Sequence, residues 1–218
     1  MIYLTGSKQP AVLDYARRTG NLGLLNTPAS RYDVTPWPYW AADNGAFNAK
    51  TYVGDERWFA WLTAQRRHAK TCLFATAPDV VGDAVQTLAR SAPWLPEIRR
   101  LGFAAALVAQ DGLEDLQVPW EDFDVLFVGG STDWKLGPAA AELCRQAKQR
   151  GKFVHVGRVN SYRRLRHASL QMHADTADGT YLAFGPTTNL PKLSAWFTQL
   201  DRQRHEAYYG LVGGVRRA

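Results

Sequence analysis

The stretch Ala104-Ala105-Ala106-Leu107-Val108-Ala109-Gln110-Asp111 decides the fold, because it is a short apolar run that ends in polar residues, and the same pattern recurs. A second apolar run, from Val125 to Val128, is followed by Gly129-Gly130. A third run, from Phe153 to Val156, comes after a segment whose apolar spacing predicts a helix from Pro138 to Arg150. Alternation of apolar runs with amphipathic helices is typical of a parallel sheet covered by helices.

Working outward in both directions, the same alternation extends over most of the chain and predicts eight strands. The predicted strands are Ile2 to Leu4, Leu22 to Leu25, Tyr39 to Ala42, Cys72 to Thr76, Ala104 to Ala109, Val125 to Val128, Phe153 to Val156 and Met172 to Ala174. The predicted helices are Ala11 to Arg18, Asp55 to Ala69, Asp83 to Arg99, Pro138 to Arg150 and Ser161 to Leu170. Gly151 and Ser161 are expected to end and to cap the helices beside them.

Eight alternating strands favour an α/β fold of the (β/α)8 TIM-barrel type, although this fold usually takes roughly 250 residues. A doubly wound open sheet is the alternative. It is less favoured because no Gly-x-Gly-x-x-Gly loop follows the first strand. No linker divides the 218 residues, so we expect residues 1–218 to form one compact domain.

Composition limits the functional class. The chain is 46% hydrophobic and 21% charged, which suits one buried core. No window reaches the roughly 18 apolar residues of a membrane helix, and Met1 to Thr5 enters a strand without a leader pattern. We therefore expect no membrane association and a location in the cytoplasm of the cell that makes the protein. Cys72 and Cys144 are expected to be reduced, buried thiols.

The net charge is +6, and many basic residues occur as doublets such as Arg163-Arg164, with Arg166 close by. An excess of positive charge favours a polyanionic partner, because binding releases condensed counterions. Doublets on helices also occur as ordinary solvated faces.

Acids, amides and glycines follow the predicted strands, and in a barrel the carboxyl ends of the strands gather at one rim. The most informative are Asp43-Asn44-Gly45, Asp79, Gln110, Gly129-Gly130 and the segment from Asp175 to Asp178. Each has a simpler explanation as a turn or a helix cap, and Asp83 is expected to be a cap. Their joint placement at one rim of the predicted barrel favours a functional site there.

Two carboxylates at one rim could act on a glycosidic bond, one as a nucleophile and the other as an acid and base, as in retaining glycosidases. Amides and exposed backbone groups could match the edge of a purine, and Phe47 or Tyr181 could stack on its face. Neither His155 nor His173 has the spacing of a metal motif, so we expect no metal and no cofactor.

The chain resembles the queuine tRNA-guanine transglycosylase family, and more closely its short relatives from phages and bacterial DNA-modification clusters, which insert 7-deazaguanine bases into DNA. The resemblance covers about residues 39–180. It rests on six segments in this order: Asp43-Asn44-Gly45-Ala46-Phe47, Ala77-Pro78-Asp79, Val108-Ala109-Gln110, Phe127-Val128-Gly129-Gly130, Val154-His155-Val156-Gly157 and Asp175-Thr176-Ala177-Asp178-Gly179-Thr180.

The resemblance implies a role for each matching residue. Asp178 would be the nucleophile, and Asp43 would be the general acid and base. Asp175 would be the less favoured choice for the nucleophile and would lie in the base-binding site. The residues implied to contact the base are Asn44, Phe47, Asp79, Gln110, Gly129 and Gly130. From charge and position, Arg158, Arg163, Arg164 and Arg166 are expected to hold nucleic-acid phosphates.

The chain departs from the tRNA enzymes in having too few cysteines for their zinc site, which favours DNA as the polymer substrate. The sequence therefore predicts a transglycosylase that exchanges guanine in DNA for a free 7-deazaguanine base. The alternatives are a nucleosidase or glycosyl hydrolase acting on small molecules, and a DNA-binding accessory protein without activity. A monomer and a homodimer are both compatible with the sequence. The tail from Ala195 to Ala218 could be a closing helix, a partner surface or part of a DNA groove.

Overall fold

The computed structural model describes residues 1–215, with side chains described through His205. It is a closed barrel of eight parallel strands in sequence order, in which the first strand pairs with both the second and the last. The (β/α)8 prediction is therefore confirmed, and the open sheet is excluded. The strands are β1 (Ile2–Thr5), β2 (Leu22–Asn26), β3 (Trp40–Ala42), β4 (Cys72–Thr76), β5 (Ala105–Ala109), β6 (Val125–Val128), β7 (Phe153–Val156) and β8 (Thr176–Gly179).

Helices connect most of the strands and cover the outside of the barrel. They are α1 (Pro10–Thr19), α2 (Asp55–Ala64), α3 (Ala84–Ser91), α4 (Trp94–Arg100), α5 (Thr132–Lys135), α6 (Pro138–Gln149), α7 (Tyr162–Leu170) and α8 (Pro186–Val215). Short 3₁₀ segments occupy Arg66–Thr71 and Leu113–Asp115. The side chain of Ser161 accepts a hydrogen bond from Arg164 N, and that of Asp83 from Gln86 N, so both predicted caps are confirmed.

Two of the predicted helices are shorter than expected. The segment predicted from Asp83 to Arg99 is two helices that meet at Pro93, because proline lacks the N–H that a continuous helix requires. The segment predicted from Asp55 to Ala69 leaves the α-helix at Ala64 and continues as a 3₁₀ turn.

The last strand was predicted too early. The structure has no strand at Met172 to Ala174, and β8 is the polar segment Thr176–Gly179, which pairs with β1 and β7. An apolar run did not mark this strand because two of its four residues carry polar side chains. The correction moves Asp178 from a loop into the strand, and it places Asp175 before the strand begins.

Alternate strand residues face opposite sides of the sheet, which divides the core into two parts. The outward-facing residues pack against the helices, in a cluster that includes Trp40, Trp58 and Leu107. The inward-facing residues fill the barrel interior with the cluster Leu4, Ala41, Phe74, Ala106, Val108, Val125 and Phe127. This apolar cluster closes the barrel from below and leaves the carboxyl ends of the strands as the place for a cavity.

The tail is helical as far as Val215. Helix α8 contacts α1 and α7, and its Trp196 stacks on Tyr181 with ring centroids 4.4 Å apart. Tyr208 and Tyr209 lie outside the described side chains, and Arg216 to Ala218 lie outside the described residues. Within the described part of the chain, no helix is long and apolar enough to cross a membrane.

Candidate active site

A cavity of about 290 Å³ opens at the carboxyl ends of the strands. Its sides come from residues in or just after seven different strands, so the site depends on closure of the barrel. The lining includes Leu25, Asp43, Asn44, Phe47, Thr76, Asp79, Val108, Gln110, Phe127, Gly129, Gly157, Arg158 and Asp178. The structure thus brings together all but one of the acids and amides that the sequence assigned to the site.

Asp178 is the third residue of β8, and it is only 7% exposed although it lines the cavity. One carboxylate oxygen, Oδ2, lies 2.9 Å from Nε2 of His155. The other, Oδ1, accepts a hydrogen bond of 3.1 Å from the backbone N–H of Arg158. Both oxygens are therefore held in place while the carboxylate faces the cavity.

Asp43 follows β3 directly, and its backbone N–H extends the pairing of β2 and β3 by donating to Asn26 O at 2.9 Å. Burial, and then the negative charges of Asp178 and Asp79, raise the pKa of Asp43 to about 7, against the opposing effect of hydrogen bonds from Gly45 and Asn44. A carboxyl group with such a pKa exchanges protons near neutral pH, as a general acid and base must.

Asn44, Asp79 and Gln110 form a hydrogen-bonded side of the cavity, which we call the polar wall. Asp79 accepts from Asn44 Nδ2 at 2.8 Å on Oδ1 and from Gln110 Nε2 at 2.6 Å on Oδ2. Asn44 also donates to Ala77 O, and Gln110 accepts from Gly82 N. Burial raises the pKa of Asp79, and the two amides oppose that shift. The wall is rigid because each of its two amides has a partner on the backbone as well as on Asp79.

Arg158 and Phe47 lie across the mouth of the cavity. The guanidinium of Arg158 contacts the phenyl ring of Phe47 with 4.6 Å between the guanidinium carbon and the ring centroid. The same guanidinium donates to Gly129 O at 3.0 Å and to Gly130 O. Phe47 is 63% exposed, so it offers an aromatic face to solvent and to a ligand entering the cavity.

Asp175 does not belong to this site. It precedes β8, at the opposite end of the strand from the cavity, and it forms a salt bridge of 2.8 Å with Lys148. It also accepts a hydrogen bond from Val154 N. The prediction that Asp175 contacts the base is therefore wrong. Asp178 lies in a strand that begins after Asp175, and the sequence had predicted a loop there.

The other predicted arginines lie on α7, beside the cavity and not in it. Arg164 donates to the backbone oxygen of Arg158, and Arg166 donates to Gln203 on α8. Arg163 and Arg166 are exposed. They form a basic surface next to the rim, while Arg158 alone of the four lines the cavity.

No protein-family model and no curated protein matches this sequence. Among solved structures, tryptophan synthase from M. tuberculosis, in its aminoacrylate- and BRD0059-bound form, matches with a TM-score of 0.53 and 13% identity over 91% of this chain and 90% of that one. A mutant tryptophan synthase alpha-subunit from Pyrococcus furiosus has a TM-score of 0.48 and 14% identity over 82% of this chain and 85% of that one. The likeness is one of fold. It supports the barrel and carries no information about this site.

Three buried polar residues near the site were given no role by the sequence analysis. His155 lies inside the barrel below Asp178, and Thr76 lines the cavity with a buried hydroxyl that has no hydrogen-bond partner. Lys135 donates to Gly157 O at 2.6 Å, and burial, followed by the charge of Arg158, lowers its pKa to about 7. A signal for His155 was available, because it interrupts the apolar run of β7 at an inward-facing position.

The side chains at the cavity do not form a metal-binding group. Through His205, no group of three or more histidine, cysteine, aspartate or glutamate residues converges where it could hold a metal ion. The thiols do not contribute to the site either: Cys144 is buried in α6, and Cys72, at the start of β4, is partly buried. The titratable and polar side chains that line the cavity are carboxylates, amides, hydroxyls and the guanidinium of Arg158.

Proposed function

We propose that this protein exchanges guanine in DNA for a free 7-deazaguanine base, such as the 7-cyano derivative, through a covalent intermediate on Asp178. One observation carries the proposal: Asp43 and Asp178, far apart in sequence, line the same cavity beside the polar wall of Asn44, Asp79 and Gln110. A pair of carboxylates with unlike environments next to a hydrogen-bonding wall suits cleavage of a purine glycosidic bond.

In the first half of the reaction, a carboxylate oxygen of Asp178 attacks C1′ of a deoxyguanosine and the bond from C1′ to N9 breaks. Asp43 in its protonated form donates its proton to the leaving guanine. In the second half, N9 of the incoming 7-deazaguanine attacks C1′, Asp43 takes the N9 proton, and the carboxylate of Asp178 is released. One glycosidic bond replaces another, so no nucleotide triphosphate is consumed. A pKa of about 7 suits Asp43 to both proton transfers.

The polar wall supports a purine as the base. Guanine and 7-deazaguanines present N–H donors on one edge, and the carboxylate of Asp79 retains unused lone pairs after accepting from Asn44 and Gln110. Other parts of the lining are apolar and include Leu25, Val108 and Phe127. A flat aromatic base with one polar edge fits this division of the cavity.

DNA as the polymer is supported by charge. The chain carries a net charge of +6, and Arg163, Arg164 and Arg166 on α7 lie beside the rim where Arg158 enters the cavity. A target nucleotide must leave the base stack for its C1′ to meet Asp178, which costs a few kcal/mol in a duplex. Phosphate contacts from these arginines would hold the flanking strand while the nucleotide is extruded.

The deciding experiment supplies guanine-labelled DNA and a panel of 7-deazaguanines to the purified protein and follows release of the label. We expect release beyond one guanine per protein molecule only when a 7-deazaguanine is present, and we expect none from the Asp178→Asn variant. Asp175→Asn is the matched control, because it removes an acid of the same segment outside the cavity. Label release by water from free nucleosides would identify a nucleosidase instead. Retention of DNA binding with no release under any condition would indicate an accessory protein.

A further inference from the structure

Below the cavity, three polar side chains form a hydrogen-bonded chain inside the barrel. His155 on β7 is 0% exposed, and its ring lies between Phe74 and Phe127, with centroids 4.8 and 4.4 Å away. Its Nε2 is 2.9 Å from Oδ2 of Asp178, and its Nδ1 is 2.7 Å from Oγ1 of Thr176. A polar ring among aromatic side chains is costly unless both of its nitrogens are paired, and here both are.

The partners of His155 define which nitrogen carries its hydrogen. An ionised carboxylate only accepts hydrogen bonds, so Nε2 of His155 must be the donor to Asp178. A neutral imidazole then has an unprotonated Nδ1, which accepts from the hydroxyl of Thr176. Asp178 thereby sets the tautomer of His155, and the hydroxyl of Thr176, which can donate or accept, pairs with the remaining nitrogen.

We infer that His155 is a positioning residue for Asp178 and that Thr176 holds the ring of His155 by pairing with its Nδ1. This inference rests on the proposed function, in which Asp178 is the nucleophile. His155 holds Oδ2 from below, while the backbone N–H of Arg158 holds Oδ1. Arg158 adopts a left-handed conformation with φ of 61°, which is uncommon for a residue with a side chain. Two donors from neighbouring segments thus fix the plane of the carboxylate before it meets C1′.

The hydrogen bond from His155 to Asp178 also favours the second half of the reaction, in which Asp178 is released. A carboxylate accepts a stronger hydrogen bond than an ester does, so His155 stabilises Asp178 as it is released from the covalent intermediate. The polar wall that binds the base does not involve His155. Loss of the His155 donor should therefore reduce kcat and leave KM for the 7-deazaguanine unchanged.

The kinetic test compares variants that differ in one donor. His155→Phe and His155→Leu fill the space of the imidazole with an apolar side chain but lack Nε2. We expect kcat to fall by about tenfold to hundredfold at constant KM. His155→Gln retains an amide donor and should recover part of the loss. Thr176→Val should lower kcat, while Thr176→Ser, which keeps the hydroxyl, should match the wild type. Wild-type kcat in both His155→Phe and His155→Leu would overturn the inference, as would equal rates in the two Thr176 variants.

A spectroscopic test does not depend on activity. In protein labelled with ¹⁵N at histidine, we expect His155 to show a protonated Nε2 and an unprotonated Nδ1 in the wild type. In Thr176→Val we expect the same tautomer with a shifted Nδ1 resonance, because Nδ1 loses its hydrogen bond. A protonated Nδ1 in the wild type would overturn the inference even if base exchange occurs. The expected tautomer in a wild-type protein that exchanges no base would instead refute the proposed function, and the positioning role with it, while the hydrogen-bonded chain would stand.

Discussion

Replacing Asp43 with asparagine should change how the stability of the protein depends on pH. Burial, and then the charges of Asp178 and Asp79, raise the pKa of Asp43 from 3.8 to about 7 in the folded protein. A carboxyl group whose folded pKa lies above its unfolded value contributes stability that is complete below the unfolded pKa, here 3.8, and is lost as the pH rises through about 7. An asparagine side chain does not titrate, so the Asp43→Asn variant lacks this loss.

The size of the effect follows from the two pKa values. Each pKa unit corresponds to about 1.4 kcal/mol, so the interval from 3.8 to about 7 gives an upper limit of about 4 kcal/mol. About 2 kcal/mol of this falls between roughly pH 5 and pH 7. Water in the open cavity reduces the value that will be observed, because it solvates the ionised carboxylate.

Urea unfolding followed by tryptophan fluorescence at pH 5 and pH 8 measures the effect, since the chain has eight tryptophans. We expect the free energy of unfolding of Asp43→Asn, relative to wild type, to increase between pH 5 and pH 8 by as much as about 3 kcal/mol. Asp14→Asn on the exposed side of α1 controls for the deletion of one carboxylate. Parallel pH profiles for wild type and Asp43→Asn, or a variant that loses stability relative to wild type as the pH rises, would refute the assignment of a raised pKa.

Three further predictions concern the base and the polymer. Asp79→Asn should raise KM for the 7-deazaguanine by about tenfold to hundredfold with little change in kcat, because the base loses a hydrogen bond to a charged carboxylate. Steady-state kinetics measure this change, and an unchanged KM would exclude the polar wall from base binding. Gly129→Ala should also raise KM, since an added Cβ would lie 2.6 Å from Cγ1 of Val108 and 3.1 Å from Nε2 of Gln110. Thermal unfolding will measure the accompanying overpacking cost of about 1–3 kcal/mol. The double variant Arg163→Ala and Arg164→Ala should weaken DNA binding and flatten its dependence on salt; the same salt slope as wild type would remove both residues from the interface.

Most strands of this barrel could be predicted because fully buried parallel strands are short and apolar. β5 and β6 are such runs, and both were expected within one residue of their observed bounds. β8 was missed because its inward-facing residues are Thr176 and Asp178, which serve the interior of the site and remove the apolar signal. The polar residues that line the site thus removed the apolar pattern by which the strand of the proposed nucleophile could have been predicted.

Much of the candidate site could be predicted by one physical rule, that the carboxyl ends of barrel strands gather at one rim. It anticipated that Asp43, Asp79, Gln110 and Gly129 would line one cavity. The rule gives no information about side chains inside the barrel, so it missed His155. The contact between His155 and Asp178 depends on the register of β7 and β8, which sequence spacing did not reveal.

Capture of the intermediate tests the central proposal most directly. Intact-mass spectrometry of the protein after incubation with a guanine-containing oligonucleotide, in the absence of any incoming base, should show one adduct equal to the oligonucleotide minus guanine. Peptide mapping should place it on Asp178, and Asp178→Asn should form none while Asp175→Asn forms as much as wild type. An adduct on another residue, or an undiminished adduct in Asp178→Asn, would contradict the account.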